Sequence, residues 1–162
     1  MAICKFFDAI SALEPKQKFL GLDVGKKTIG VAIGDMSHQI ASPHHIIWRS
    51  KFTSDMLSLC EEMDELDIGA LVIGWPLNMD GTEGPRCDST RDFSHAFLRL
   101  RDMPIVFQDE RWSTKAVERS MVDADMTRQN RHARRDALAA TWILQAAFDT
   151  HNQSAVTDET QL

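Results

Sequence analysis

A chain of 162 residues with 43% hydrophobic and 26% charged residues has room for one domain with a true core and too little for two comfortable ones. That balance excludes an intrinsically disordered chain, and no run approaches the roughly 20 apolar residues of a membrane-spanning helix, so no membrane partner is expected. A formal net charge of -6 weighs against a polyanion binder, but the charge is unevenly spread: residues 1–85 hold 7 Lys and Arg against 12 acids, residues 86–135 hold 11 against 8, and the rest holds none against 4.

The chain begins MAICKFFDAISALEPKQK. Ile3, Phe6, Phe7, Ile10 and Leu13 recur at helical spacing, which predicts a short amphipathic docking helix in an N-terminal extension (residues 1–17), stopped near Pro15. Asp8 interrupts the apolar part and no small-residue cleavage site follows, so the segment does not read as a secretory signal. Cys4, Cys60 and Cys87 are scattered and contain no Cys-x-x-Cys pair. They point to neither a disulfide framework nor a zinc site, and to a reducing, cytoplasmic location.

Lys18 to Val24 is apolar at most positions on both faces, as in a central strand covered on both sides. Gly25, Lys26 and Lys27 then turn the chain into a second strand, Thr28 to Gly34, making a hairpin. Residues 39–50 read as a third strand beginning after Pro43, residues 53–66 as a helix with an acidic outer face, and residues 70–76 as a buried parallel strand. Pro85 suits the first turn of a helix that runs to Arg101 with Phe93, Ala96, Phe97 and Leu100 on one stripe. Residues 104–110 form a fifth strand, Ser113 or Thr114 can cap a following helix, and residues 135–149 form a largely apolar last helix. Residues 151–162 lack a core-forming pattern and are expected to be a flexible tail. The order predicts an α/β domain over residues 18–150, a mixed five-stranded sheet flanked by helices, with sites beyond the carboxyl ends of its parallel strands.

Asp23 is the anomaly in this pattern, because a carboxylate between Leu22 and Val24 in a strand interior costs several kcal/mol unless something cationic compensates it. Asp109 and Glu110 end the fifth strand, and Asp136 stands at the expected head of the last helix, where it could simply favour the helix N-terminus. If these carboxylates meet, two like charges 4 Å apart repel by about 4 kcal/mol at an effective dielectric near 20, so the cluster must hold a proton or bind a divalent cation. Oxygen-only ligands favour Mg²⁺ or Mn²⁺, and two such ions suit phosphodiester hydrolysis. Lys26, Lys27 and Arg111 are placed to neutralise the phosphate, and Arg128, Arg131, Arg134 and Arg135 lie in an acid-free stretch able to hold more phosphates. Asn78, Asp80 and Thr82, in the loop after a parallel strand, are candidates to line a nucleic-acid groove, or else merely shape a turn. His44 and His45 are adjacent, would point to opposite strand faces, and are not expected to share a metal.

Four stretches together resemble the YqgF/RuvX family, described as pre-16S rRNA nucleases or Holliday junction resolvases of ribonuclease H-like fold: GLDVGKKTIGVAIGD, VIGWPLNMDGTEGPRCDSTRDF, DERWST followed by Ala116 to Arg119, and DALAATWILQ. The resemblance implies a ribonuclease H-like domain and a Mg²⁺- or Mn²⁺-dependent endonuclease, with Asp23, Glu110 and Asp136 as its metal-holding, catalytic acids. It also implies partners: the precursor of small-subunit rRNA, free or in ribosomal particles, or branched DNA, for which a homodimer rather than a monomer would be needed. The strand rule allows only one of Asp109 and Glu110 to be a direct ligand. The family motif favours Glu110. Asp23-x-Gly-x-x-x-x-Gly also resembles the phosphate loop of actin-like ATPases, but those need two such domains and this chain has room for one.

Overall fold

Alternating side chains dictate the hairpin at the centre of the molecule. β2 (Lys18–Val24) and β3 (Thr28–Gly34) pair antiparallel, and the Gly25 amide donates to the Thr28 carbonyl at 2.9 Å to close the turn. β4 (Ala41–Trp48) extends the meander, with Pro43 inside the strand rather than ahead of it. The chain continues through α2 (Phe52–Glu65), β5 (Ile68–Trp75), α3 (Pro85–Leu100) and β6 (Ile105–Asp109). The computed structural model describes residues 3–111 and 128–160, and its last element is α4 (Arg128–Thr160). Ser113, Thr114 and the helix they were expected to cap lie outside the described residues.

The extension contributes β1 (Ile3–Cys4) and α1 (Phe6–Ala12), so the sheet has six strands, not five, in the order β1-β6-β5-β2-β3-β4. β2, β5, β6 and β1 run parallel, and β2, β3 and β4 antiparallel. A two-residue strand is too short to show an alternating pattern. It forms because Ile3 and Cys4 pair with Ile105 and Val106 and cover what would otherwise be the β6 edge.

Strand periodicity divides the core cleanly. Leu20, Leu22, Ile29, Val31, Leu71, Ile73 and Ile105 face α2 and α3, where they pack with Met56, Leu59, Met63 and Phe97. Phe19, Ala32, Ala70, Val72 and Val106 face the other way, onto Ala140, Ile143, Leu144, Ala147 and Phe148 of α4. Each large side chain buried this fully contributes about 1.5–3 kcal/mol. By the same alternation Asp23 shares the α4 face with Phe19 and Gly21, and Glu110 shares it with Val106.

α4 differs from expectation at both ends. It begins at Arg128, so Asp136 sits in its third turn, eight residues inside, where the helix dipole gives it no particular support. It also continues to Thr160, well past the expected end at residue 149, and Phe6 packs edge-on against both Phe148 and His151. The α1 helix thus docks on its own domain, although Phe7, expected on the apolar stripe, is 67% exposed. Leu100 of α3 is likewise exposed, and Cys87, Thr90 and Ser94 take buried positions beside Phe93 and Phe97. Among the described residues no helix is long and apolar enough to cross a membrane.

Candidate active site

Three elements bring the acids to one cleft of about 350 Å³, at the carboxyl ends of the parallel strands. Asp23 enters from β2, Glu110 from the residue after β6, and Asp136 from the stripe of α4 that continues into Ala140 and Ile143. Two glycines make the meeting possible. A Cβ at Gly30, the cross-strand partner of Asp23, would run into the Asp136 backbone, so only glycine lets α4 lie close enough there. A Cβ at Gly74 on β5 would collide with Glu110 Oε2 and lie 2.6 Å from Ile143 Cδ1, so the Glu110 side chain crosses β5 where that strand has no side chain. Gly21 plays a related part, since its Cβ would lie 2.9 Å from that of Leu144.

Asp23 and Glu110 are hydrogen-bonded to each other. Burial, and then the charges of Glu110 and Asp136, push the Asp23 carboxyl up to about 7, against the opposing pull of Arg86. Burial also raises Glu110, while Arg86 and the bond from Asp23 work against the rise. Asp136 is turned to one side, its Oδ2 accepting a short hydrogen bond from the Thr28 hydroxyl. Among the described residues the three carboxylates are not all within 4.8 Å of one another, a spacing that His44, His45 and Glu62 do meet.

Asp109 and Glu110 separate as strand geometry requires. Asp109 points away from the cleft and binds Arg111, whose Nε and Nη2 stand 2.9 and 2.7 Å from its Oδ2. Partial burial works to raise the Asp109 carboxyl, but the Arg111 side chain and backbone bonds win and hold it below the usual range. Glu110 accepts a long-range ion pair from Arg86, Nη2 to Oε1 at 3.7 Å.

The cationic residues divide similarly. Lys26, Arg86 and Arg135 line the cleft, while Lys27 does not, and Arg111 is engaged with Asp109. Arg134 is exposed on α4 one residue ahead of Arg135. The side chains of Arg128 and Arg131 lie outside the described residues. Asn78, Asp80 and Thr82 bond chiefly to one another: Asn78 Nδ2 donates to Thr82 Oγ1 at 3.0 Å, and Thr82 donates its hydroxyl to Asp80 Oδ1 at 2.6 Å. That network shapes the turn around Gly81, and none of the three lines the cleft.

Three site residues escaped the sequence reading. Arg86 lies inside the quoted GPRCDSTRDF stretch, directly after Pro85, and its position in the first turn of α3 was the available signal. Thr28 opens β3 on the same face as Gly30, which the strand period alone could have shown. Arg49 carries no such signal. Its Nη1 donates to the Gly25 carbonyl at 2.7 Å and its guanidinium lies 5.7 Å from the Phe93 ring centroid. It lines a second, larger groove that shares Lys26 and Arg86 with the acidic cleft.

Residues 17–150 match the family model described as RuvX: Holliday junction resolvase. A protein of Phenylobacterium zucineum (strain HLK1) is 48% identical over 151 residues, covering 92% of this chain and 97% of its own. One of Paramagnetospirillum magneticum (strain ATCC 700264 / AMB-1) is 46% identical over 145 residues, covering 90% and 94%. Both carry the name "Putative pre-16S rRNA nuclease". Among solved structures, "T. thermophilus RuvC in complex with Holliday junction substrate" superposes with a TM-score of 0.53 at 12% identity, over 85% of this chain and 96% of that one. That likeness is one of fold, and it places the sheet and its flanking helices in the ribonuclease H-like class. With 134 consecutive positions matched and relatives near half identity along almost the whole length, the chain belongs to the RuvX (YqgF) family.

Proposed function

We propose that this chain is a divalent-metal-dependent endonuclease that hydrolyses nucleic-acid phosphodiester bonds, acting in the cytoplasm on the 5′ side of the small-subunit rRNA precursor. The observation that carries the proposal is the convergence of Asp23, Glu110 and Asp136 on one cleft, where burial and the neighbouring charges push the Asp23 carboxyl up. Asp23 and Glu110, hydrogen-bonded to each other, need a proton or a cation between their oxygens. The donor set is all carboxylate, which fits a hard dication and suits neither zinc nor copper.

Asp23, Glu110 and Asp136 would hold one or two Mg²⁺ or Mn²⁺ ions, which when bound activate a water and stabilise the leaving oxygen of a phosphodiester. The chain's own residues do the rest. Lys26, Arg86 and Arg135 at the cleft rim hold the phosphate, and Arg86 also keeps the acids ionisable. Thr28 orients the Asp136 carboxylate. Arg49, Phe52 and Phe93 in the adjoining groove give the flanking nucleotides a cation and apolar ring surfaces. Lys27, Arg111 and Arg134 add positive charge outside the cleft, and Asn78, Asp80 and Thr82 act on substrate only through the shape of their loop.

The name carried by the relatives supports RNA. The family description supports branched DNA, which would require a homodimer presenting two clefts symmetrically, whereas a monomer suffices for RNA. The test is to incubate purified protein and Asp23→Asn with Mn²⁺ and either precursor rRNA or a four-way junction. The wild type should cut the RNA, and the variant should bind it without cutting. Equal cleavage by the variant would overturn the catalytic assignment, and cleavage of the junction alone would move the substrate to DNA.

A further inference from the structure

His44 and His45 violate the alternation that a regular strand imposes. Across β3 and β4, Val31 pairs with His45 but Ala32 pairs with Pro43, so His44 is an extra residue, a bulge in the edge strand. Pro43, which has no N–H to offer the ladder, stands beside it, in the kind of edge and bulge position that tolerates proline. The bulge turns both rings to the same side, with centroids 4.8 Å apart and planes at 62°. Both then meet Glu62 of α2. His44 Nε2 lies 2.5 Å from Glu62 Oε1, and His45 Nε2 lies 2.7 Å from Oε1 and 2.8 Å from Oε2.

Three ligand atoms from two elements, all within 4.8 Å of one another, converge on a point reached by solvent, since the side chains are 31%, 36% and 28% exposed. A tetrahedral ion with bonds of about 2.0–2.1 Å separates its ligand atoms by about 3.3 Å. The two His–Glu62 contacts need to open by less than about 1 Å to admit one, and the exposure of the side chains leaves room for that.

We propose that His44, His45 and Glu62 form a second metal site, one that takes a borderline transition dication such as Zn²⁺, Ni²⁺ or Cu²⁺. Imidazole nitrogen selects these ions over Mg²⁺, and two histidines with one carboxylate leave coordination positions open to water or to a further ligand. The site is chemically and spatially separate from the acidic cleft: α2 packs on the sheet face opposite to the one that carries Asp23 and Asp136. A bound ion would clasp the edge strand β4 to α2, and the inference stands independently of the nuclease reading.

The test is isothermal titration of the full chain with Zn²⁺ or Ni²⁺ in excess Mg²⁺, paired with electron paramagnetic resonance of the Cu²⁺-loaded protein. Wild type and Asp23→Asn should each bind one equivalent, with a Cu²⁺ spectrum showing nitrogen coupling from two imidazoles. The double variant His44→Ala/His45→Ala should lose at least about tenfold in affinity together with that coupling, and Glu62→Gln should weaken binding. Unchanged metal-free thermal unfolding would show that the variants are folded. The proposal is overturned by binding that the double variant retains, by binding that Asp23→Asn alone removes, or by two imidazole–carboxylate hydrogen bonds that persist in the presence of Zn²⁺ with no ion taken up.

Discussion

Glu110 reaches Asp23 by crossing over Gly74, on the strand that separates theirs. The hydrogen bond between the two carboxyls therefore depends on a missing side chain in a third strand. Gly74→Ala should push the Glu110 carboxylate off Asp23 and press on Ile143. We expect an overpacking cost of about 1–3 kcal/mol in denaturant unfolding and a loss of cleavage on the order of tenfold or more. Cleavage at the wild-type rate by a folded Gly74→Ala protein would show that the pairing is dispensable.

The raised Asp23 carboxyl makes the metal-free fold sensitive to pH. Its value rises from 3.8 to about 7, so the folded state holds a proton that the unfolded chain releases, and stability falls as the pH climbs through that interval. A shift of this size corresponds to at most about 4 kcal/mol, spread over the coupled pair. In EDTA the melting temperature should decline between about pH 4 and pH 7, and Asp23→Asn should flatten the decline. Mg²⁺ should oppose it by binding the ionised form. A wild-type profile as flat as that of the variant would contradict the shared proton.

Arg86 is the cation that restrains both carboxyls, 3.7 Å from Glu110 and 70% exposed. Arg86→Ala should let their values climb, moving the acid limb of the cleavage profile to higher pH, and should weaken substrate binding about fivefold. Arg86→Lys should restore much of the first effect and less of the second, because lysine supplies charge without the guanidinium fork. A pH profile that does not move in Arg86→Ala would remove Arg86 from the acid pair.

Most of this arrangement was legible because it rests on period two. The hairpin boundaries at 18–24 and 28–34 match, and the strand rule that lets only one of Asp109 and Glu110 face the site holds, with Glu110, the one the family motif favours, on the Asp23 face. What escaped was non-local or broke the period. β1 is two residues long and exists only through its pairing with β6. The bulge at His44 put adjacent side chains on one side, against the expectation that they diverge. The start of α4 was hidden because Arg128 to Arg135 carries no apolar stripe. That stripe begins with Ala137, so the pattern starts the helix too late and sets Asp136 at a terminus it does not occupy. Arg86 and Arg49 are ordinary arginines in sequence and acquire their roles only from what surrounds them.

At Gly30 the Asp136 backbone fills the space a Cβ would need. Gly30→Ala must move the whole of α4, not a flexible side chain, and should destabilise the fold by about 2–4 kcal/mol in urea unfolding. A loss below about 0.5 kcal/mol would mean that the helix does not lie this close.

The most direct measurement is an anomalous difference map from crystals of the full chain grown with Mn²⁺. The expected result is a peak in the cleft touching carboxylate oxygens of Asp23, Glu110 and Asp136, absent in Asp23→Asn. A cleft that stays empty at millimolar Mn²⁺, with Asp136 still bonded to Thr28 and the proton still shared between Asp23 and Glu110, would contradict it.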